Sequence, residues 1–192
     1  MIQINIIKNA IPGSFLIIPF THDDVRGRFV KTFNTENFSL QGLSIDFKED
    51  FYSISKKNVL RGLHFQVPPC DHAKVVYCVQ GAIFDVIVDL RIGSPTYQKF
   101  QLFELNSVNA NMVFIPTGVA HGFYTLSDVA TVMYKVTSLH SAEHDSGIRW
   151  NSAGIPWPND FPILSDRDMK LPRLSELSSP FVYDGLKGGN TP

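Results

Sequence analysis

The stretch that decides the fold is Ala82-Ile83-Phe84-Asp85-Val86-Ile87-Val88-Asp89-Leu90-Arg91. Read with period two, one face is Ala82, Phe84, Val86, Val88 and Leu90, entirely apolar. The other is Ile83, Asp85, Ile87, Asp89 and Arg91. Strict alternation over ten residues marks a strand, because successive side chains leave a pleated backbone on opposite sides. Outward from it, Lys74 to Val79, Lys99 to Leu105, Asn111 to Ile115 and Thr131 to Thr137 give further short strand candidates. Gly81, Gly93-Ser94-Pro95, Asn106-Ser107, Pro116-Thr117-Gly118 and Ser127-Asp128 supply turns between them. Short strands at this spacing predict an all-β sandwich or barrel.

Helix signals are few. Asn34 is placed to cap a short helix over Thr35 to Leu40, and Ser165 another over Asp166 to Lys170. Residues 155–162 carry three prolines and Trp157 and predict an extended surface crossing. The chain of 192 residues reads as one domain, with residues 175–192 expected to form a partly mobile tail. No internal repeat or dividing linker is present.

Hydrophobic residues make up 44% and charged residues 18%, which argues against disorder. A net charge of −1 supplies no basic field for nucleic acid or an anionic membrane, so an anionic ligand would be met by a few local cations. Cys70 and Cys78 give a weak disulfide signal, and reduced thiols in the cytoplasm are the simpler reading. Residues 1–20 show no signal-peptide pattern, and no apolar run approaches the length of a bilayer span.

The chemistry is concentrated in Val59-Leu60-Arg61-Gly62-Leu63-His64-Phe65-Gln66, followed by Lys74. Plain alternation puts Arg61 and Leu63 on one face and Leu60, Gly62 and His64 on the other. Gly62 would leave room for a ligand beside the imidazole. A lone histidine here would be a core residue bonded to a carbonyl, but Arg61, His64, Gln66 and Lys74 together favour a site. A second segment, Ile115 to Phe123, places His121 between small residues after a turn. Barrels that hold metal through histidines usually pair two of them two residues apart with a carboxylate. Here those positions are Gln66 and Phe123, so no metal site is expected. Tyr134 shares a face with Val132 and Val136 and points inward, either as core or as a general acid. Asp168, taken alone, reads as a solvated carboxylate at a helix start.

Taken in order, these segments resemble the dTDP-4-dehydrorhamnose 3,5-epimerase family. The motifs are Val59 to Gln66, Phe84 to Thr96, Ile115 to Phe123, Tyr134 to Thr137, Ile148 to Asn151, Trp157-Pro158 and Leu164 to Asp168. Asp24 to Phe29 resembles the family's N-terminal motif, and the similarity runs from about Ile6 to Leu174. The resemblance implies a cupin-like jelly-roll barrel (a double-stranded β-helix) that forms a homodimer and needs no cofactor. It implies an isomerase acting on a nucleoside-diphosphate 4-keto-6-deoxy sugar at carbon 3, carbon 5 or both, in deoxysugar and surface-polysaccharide biosynthesis.

It also implies roles. His64 would be the base, Asp168 its dyad partner, Tyr134 the proton donor on the opposite face, and Lys74 the support for the enolate. Arg61 and His121 would line the same pocket, with Gln66 beside them. Arg26 and Phe29 would reach the neighbouring subunit's nucleotide. The residue types suit the reaction. Both carbons are alpha to the ketone, a cation stabilises the enolate, and histidine has a suitable basicity.

Four positions depart from the family pattern. Lys31 stands where rhamnose-pathway members carry glutamate, Glu49 and Phe51 where they carry glutamine and asparagine, and His140 where a pocket tyrosine is common. Lys31, Glu49 and Phe51 lie near the family's nucleotide pocket and predict weaker binding of dTDP than of CDP or GDP, while His140 leaves open the sugar's shape and whether one or both carbons invert. A single-centre epimerase or a ketoisomerase on another nucleotide sugar is the alternative within the fold. A sugar-binding barrel without activity and a metal-dependent oxygenase are the alternatives outside it.

Overall fold

In the computed structural model, residues 4–185 apart from 41 and 44 are described. Thirteen strands carry the fold. They are β1 (Asn5–Lys8), β2 (Phe15–Ile18), β3 (Phe20–Asp24), β4 (Gly27–Lys31), β5 (Glu49–Lys56), β6 (Leu60–Gln66) and β7 (Lys74–Gln80). The second half adds β8 (Ala82–Asp89), β9 (Phe100–Asn106), β10 (Met112–Ile115), β11 (Val119–Thr125), β12 (Val129–Val136) and β13 (Asp145–Gly147). Two short helices, α1 (Thr35–Leu40) and α2 (Asp166–Lys170), lie where the capping residues predict them. Asn34 Oδ1 accepts from the Asn37 N–H, and Ser165 Oγ accepts from the Asp168 N–H.

The strands form a six-stranded sheet, β1-β2-β10-β7-β12-β5, and a five-stranded sheet, β13-β6-β11-β8-β9, every pairing antiparallel. They face each other as a jelly-roll barrel. The hairpin β3–β4 stands as a separate ribbon. The β7–β8 turn requires Gly81: its φ is +78°, and a Cβ there would lie 2.1 Å from the Val129 carbonyl oxygen.

Strand β8 is buried on both faces. Ile83 and Ile87 point into the barrel, against Val76, Val113, Val132 and Phe123. The fully apolar face, with Val86, Val88 and Leu90, is covered from outside by Ile148, Ile155, Leu174 and Phe181. Residues 155–162 contribute Ile155 and Trp157 to that cover as an extended crossing, with Trp157 edge-on to Phe84 and its indole N–H donating to the Trp150 carbonyl. The mixed face is therefore the barrel interior, and this places Asp85 and Asp89 inside the protein.

Of the expected mobile tail, residues 175–185 are described. Phe181 is buried, and its carbonyl accepts from the Ile92 N–H. Lys187 to Asn190 lie outside the described residues.

Candidate active site

A cavity of about 310 Å³ opens between the two sheets. Strands β5, β7 and β12 line it from one sheet and β6, β11 and β13 from the other, with His140 and Arg167 on loop and helix. Arg61, His64, Gln66, Lys74, His121, Tyr134, Glu49, Phe51 and His140 all reach it, as the sequence predicts.

The placement of Arg61 and His64 departs from plain alternation. His121 pairs with His64 while Phe123 pairs with Arg61, so three steps along β6 oppose two along β11. This bulge resets the parity of β6 and turns both side chains into the cavity. It forms where two glycines meet. A Cβ on Gly62, at φ +136°, would lie 2.5 Å from the Gly122 Cα, and one on Gly122 would lie 2.8 Å from the Arg61 carbonyl oxygen. Gly62 thus makes room for the neighbouring strand, not for a ligand.

His64 Nε2 lies 2.7 Å from Asp168 Oδ1, and the Gly62 N–H donates to Asp168 Oδ2 at 3.3 Å. Asp168 is only 3% exposed. Burial pushes its carboxyl upward, but the His64 bond and charge and the Gly62 N–H outweigh this, and the net shift is downward. A carboxylate only accepts, so Nε2 carries the proton and Nδ1 is left as the free basic nitrogen.

Lys74 is buried on the opposite sheet. Desolvation lowers its pKa to about 8, against the opposing pull of Asp145 and Asp85. Tyr134 is buried too, and desolvation raises its pKa, so the phenol keeps its proton at neutral pH. Its ring stacks on Phe51 at 4.8 Å and 16°, with Ser53 Oγ 3.4 Å from its hydroxyl. Arg61 is oriented by Ser55, whose Oγ accepts from Nε at 2.9 Å.

Other expected residues are placed differently. Gln66 is 4% exposed and fully engaged. Its amide donates to the Cys70 and Leu139 carbonyls and accepts from the Ser141 N–H, so it braces the pocket wall. Glu49 accepts from the His140 N–H at 2.8 Å, which spends part of its charge on holding that loop. Arg26, Phe29 and Lys31 sit on the β3–β4 ribbon and do not line the cavity of their own chain. Arg26 instead pairs with Asp24 on the surface.

Several lining residues have no signal in the sequence. His72 is half-buried beside Lys74 and His140, and its pKa falls to about 3 through desolvation and those two neighbours. Asp145 and Arg167 meet as an ion pair at 2.9 Å from separate segments. Ser53 sits on β5, a strand without clear apolar alternation. Behind the lining, Asp85 belongs to the mixed face of β8 and bonds His121. Among the described residues no three His, Cys, Asp or Glu side chains gather as metal donors. None of the described helices is long and apolar enough to cross a membrane.

The sequence profile of dTDP-4-dehydrorhamnose 3,5-epimerase matches residues 8–176. The chain is 42% identical to the Shigella flexneri dTDP-4-dehydrorhamnose 3,5-epimerase over 168 residues, covering 86% of this chain and 93% of that one. Its fold superposes with a TM-score of 0.90 on the Legionella pneumophila dTDP-6-deoxy-D-glucose-3,5-epimerase in complex with dTDP-4-keto-L-rhamnose, at 34% identity, covering 95% and 100% of the two chains. A Streptomyces bikiniensis 3′-monoepimerase in complex with dTDP-quinovose superposes with a TM-score of 0.82 at 33% identity, covering 88% and 87%. On the sequence profile, the shared fold and the extent of identity, the chain belongs to the dTDP-4-dehydrorhamnose 3,5-epimerase family of isomerases.

Proposed function

We propose that the protein epimerises a dTDP-linked 4-keto-6-deoxy sugar at carbons 3 and 5, in the cytoplasm, as a step of deoxysugar biosynthesis. The observation that carries this reading is the opposition of the His64–Asp168 dyad and the Tyr134 phenol across one cavity. His64 Nδ1 takes the proton from the carbon alpha to the ketone. The electron pair moves into the carbonyl, and the enolate oxygen is stabilised by the Lys74 ammonium. Tyr134 returns a proton to the carbon from the other side, which inverts it. Asp168 holds the imidazole in the required tautomer and supports its charge.

The nucleotide is best read as dTDP. The case for CDP or GDP rested on Lys31, Glu49 and Phe51. Lys31 does not line its own chain's cavity, Glu49 is bonded to the His140 backbone, and Phe51 is stacked on Tyr134. None of the three is held in its own chain as a reader of a base edge. The relatives are named for dTDP sugars. Arg26 and Phe29, exposed on their ribbon, act on the site of a second subunit in a homodimer.

The single-centre reading stays as the second one. It is favoured by His140 at the cavity in place of a tyrosine, and by the likeness to the 3′-monoepimerase. Incubation with a dTDP-4-keto-6-deoxy sugar in deuterated water decides between them. Exchange with inversion at both carbons is expected. Inversion at carbon 3 alone establishes the second reading, and exchange only with CDP or GDP sugars overturns the choice of nucleotide.

A further inference from the structure

Strand β8 sends two carboxylates into the barrel, and they are treated differently. Asp89 and Asp85 are both 0% exposed. Asp89 is saturated: it accepts from the Arg91 N–H, Nε and Nη2 and from the Ser94 and Thr96 hydroxyls, all within 3.0 Å. That is how a structural buried carboxylate is satisfied. Asp85 has one partner, His121 Nε2 at 2.7 Å on Oδ2. Its Oδ1 has no hydrogen-bond partner among the described residues. A buried carboxylate with an unmet oxygen costs stability, because its desolvation is not offset. Packing gives no reason to keep it.

Its surroundings give one. His121 lines the cavity, stands opposite His64 in the β6–β11 ladder, and presents its ring edge-on to Tyr134 with centroids 6.1 Å apart. We propose that Asp85 is a positioning residue of the reaction, holding His121 with Nδ1 towards the sugar and supplying the fixed negative charge beneath Lys74 and Tyr134. The inference rests on the epimerase reading. Asp85 acts on both neighbours in the useful direction. Its charge favours the cationic form of Lys74 and opposes ionisation of Tyr134. The other ionisable groups facing this floor and Lys74 include Cys78 on β7, Arg61 and His64 on β6, Asp145 on β13 and His72 on the loop before β7. His121 Nδ1 then accepts a hydrogen bond from a sugar hydroxyl beside the basic nitrogen of His64.

Two measurements test this. The first is ¹⁵N NMR of the histidine-labelled parent protein, which reads the tautomer of His121 without any turnover. The proton is expected on Nε2; a proton on Nδ1 alone overturns the proposal. The second is the pH dependence of kcat/KM for Asp85→Asn, with circular dichroism confirming the fold. At neutral pH a fall of about tenfold or more is expected. The alkaline limb should move to lower pH by about half a unit or more, as Lys74 loses its counter-charge. A rate that falls equally at every pH with the limb unmoved is what lost packing would give, and it overturns the proposal, as does an unchanged rate. If the parent itself epimerises no 4-keto sugar, the functional reading fails, while the NMR result still decides the His121–Asp85 geometry.

Discussion

His121 stands directly opposite His64 in the antiparallel β6–β11 ladder, and both rings face the same cavity. Each imidazole hands Nε2 to a buried carboxylate at 2.7 Å, His64 to Asp168 and His121 to Asp85. The two carboxylates come from different places, one from helix α2 and one from strand β8. The pocket therefore holds two parallel imidazole–carboxylate units, fixed by the register of a pair of strands that only glycine at 62 and 122 allows to approach.

His64→Asn tests the base. The asparagine side chain is similar in size and can still bond Asp168, so the fold is expected to survive. Loss of a general base costs roughly 10²–10⁴-fold in rate. Proton exchange from the sugar carbons, followed by NMR in deuterated water, should drop by that factor. Exchange at the parent rate in a folded variant would remove His64 from the mechanism.

Tyr134→Phe tests the acid. The hydroxyl alone is lost, and the Phe51 stack at 4.8 Å is kept. Abstraction by His64 should continue in part, while delivery of a proton from the opposite side fails. Deuterium should then enter with retention more readily than with inversion. Equal loss of both would make Tyr134 a binding or structural residue.

Much of this is legible in the sequence. Period two in Ala82 to Arg91 and the punctuating turns give a sandwich or barrel, the family resemblance narrows it to the jelly roll, and Asn34 and Ser165 mark both short helices, because alternation and capping are local effects of the backbone. The site was legible only in part. His64 and Lys74 announce themselves as polar residues in apolar strands. Asp168 does not, since nothing local says that a helix-start carboxylate will reach a strand 104 residues away. The bulge that turns Arg61 and His64 to one side is set by pairing with β11, which no period in β6 encodes. Glu49 and Gln66 reach the cavity, but their bonds to the backbone of His140, Ser141 and Leu139 are not legible in the sequence, because those partners lie on a distant loop.

Gly62→Ala tests that close approach. The added Cβ would sit 2.5 Å from the Gly122 Cα, a backbone atom that cannot rotate away, and the φ of +136° is hostile to alanine. A loss of roughly 3 kcal/mol in unfolding free energy is expected, at the upper end of overpacking costs. Chemical denaturation measures it. Because β6 must shift away from β11, His64 and Arg61 lose their placement, and activity should fall even where the variant remains folded. A variant as stable and active as the parent would show that the strands tolerate a wider spacing.

Lys74 is expected to set the alkaline limit of activity. Burial lowers its folded pKa to about 8, whereas the unfolded chain holds the proton up to the ordinary 10.5. Below pH 8 both states are protonated, and the folded protein carries the full cost of a buried ammonium. Between pH 8 and 10.5 the unfolded state binds the extra proton, so this cost is relieved and the Lys74 contribution to stability rises with pH. Activity runs the other way. The enolate needs the cation, so kcat/KM of the free enzyme should fall as pH climbs through about 8. Lys74→Met separates the two effects. The thioether fills similar space without a charge, so stability at neutral pH should increase, by up to about 3 kcal/mol from the size of the shift. Turnover should collapse at every pH. Thermal melts and rate profiles across pH 6 to 10 would check both arms. A methionine variant that is less stable than the parent at neutral pH would mean that Lys74 is held by compensating contacts and is not a strained catalytic cation.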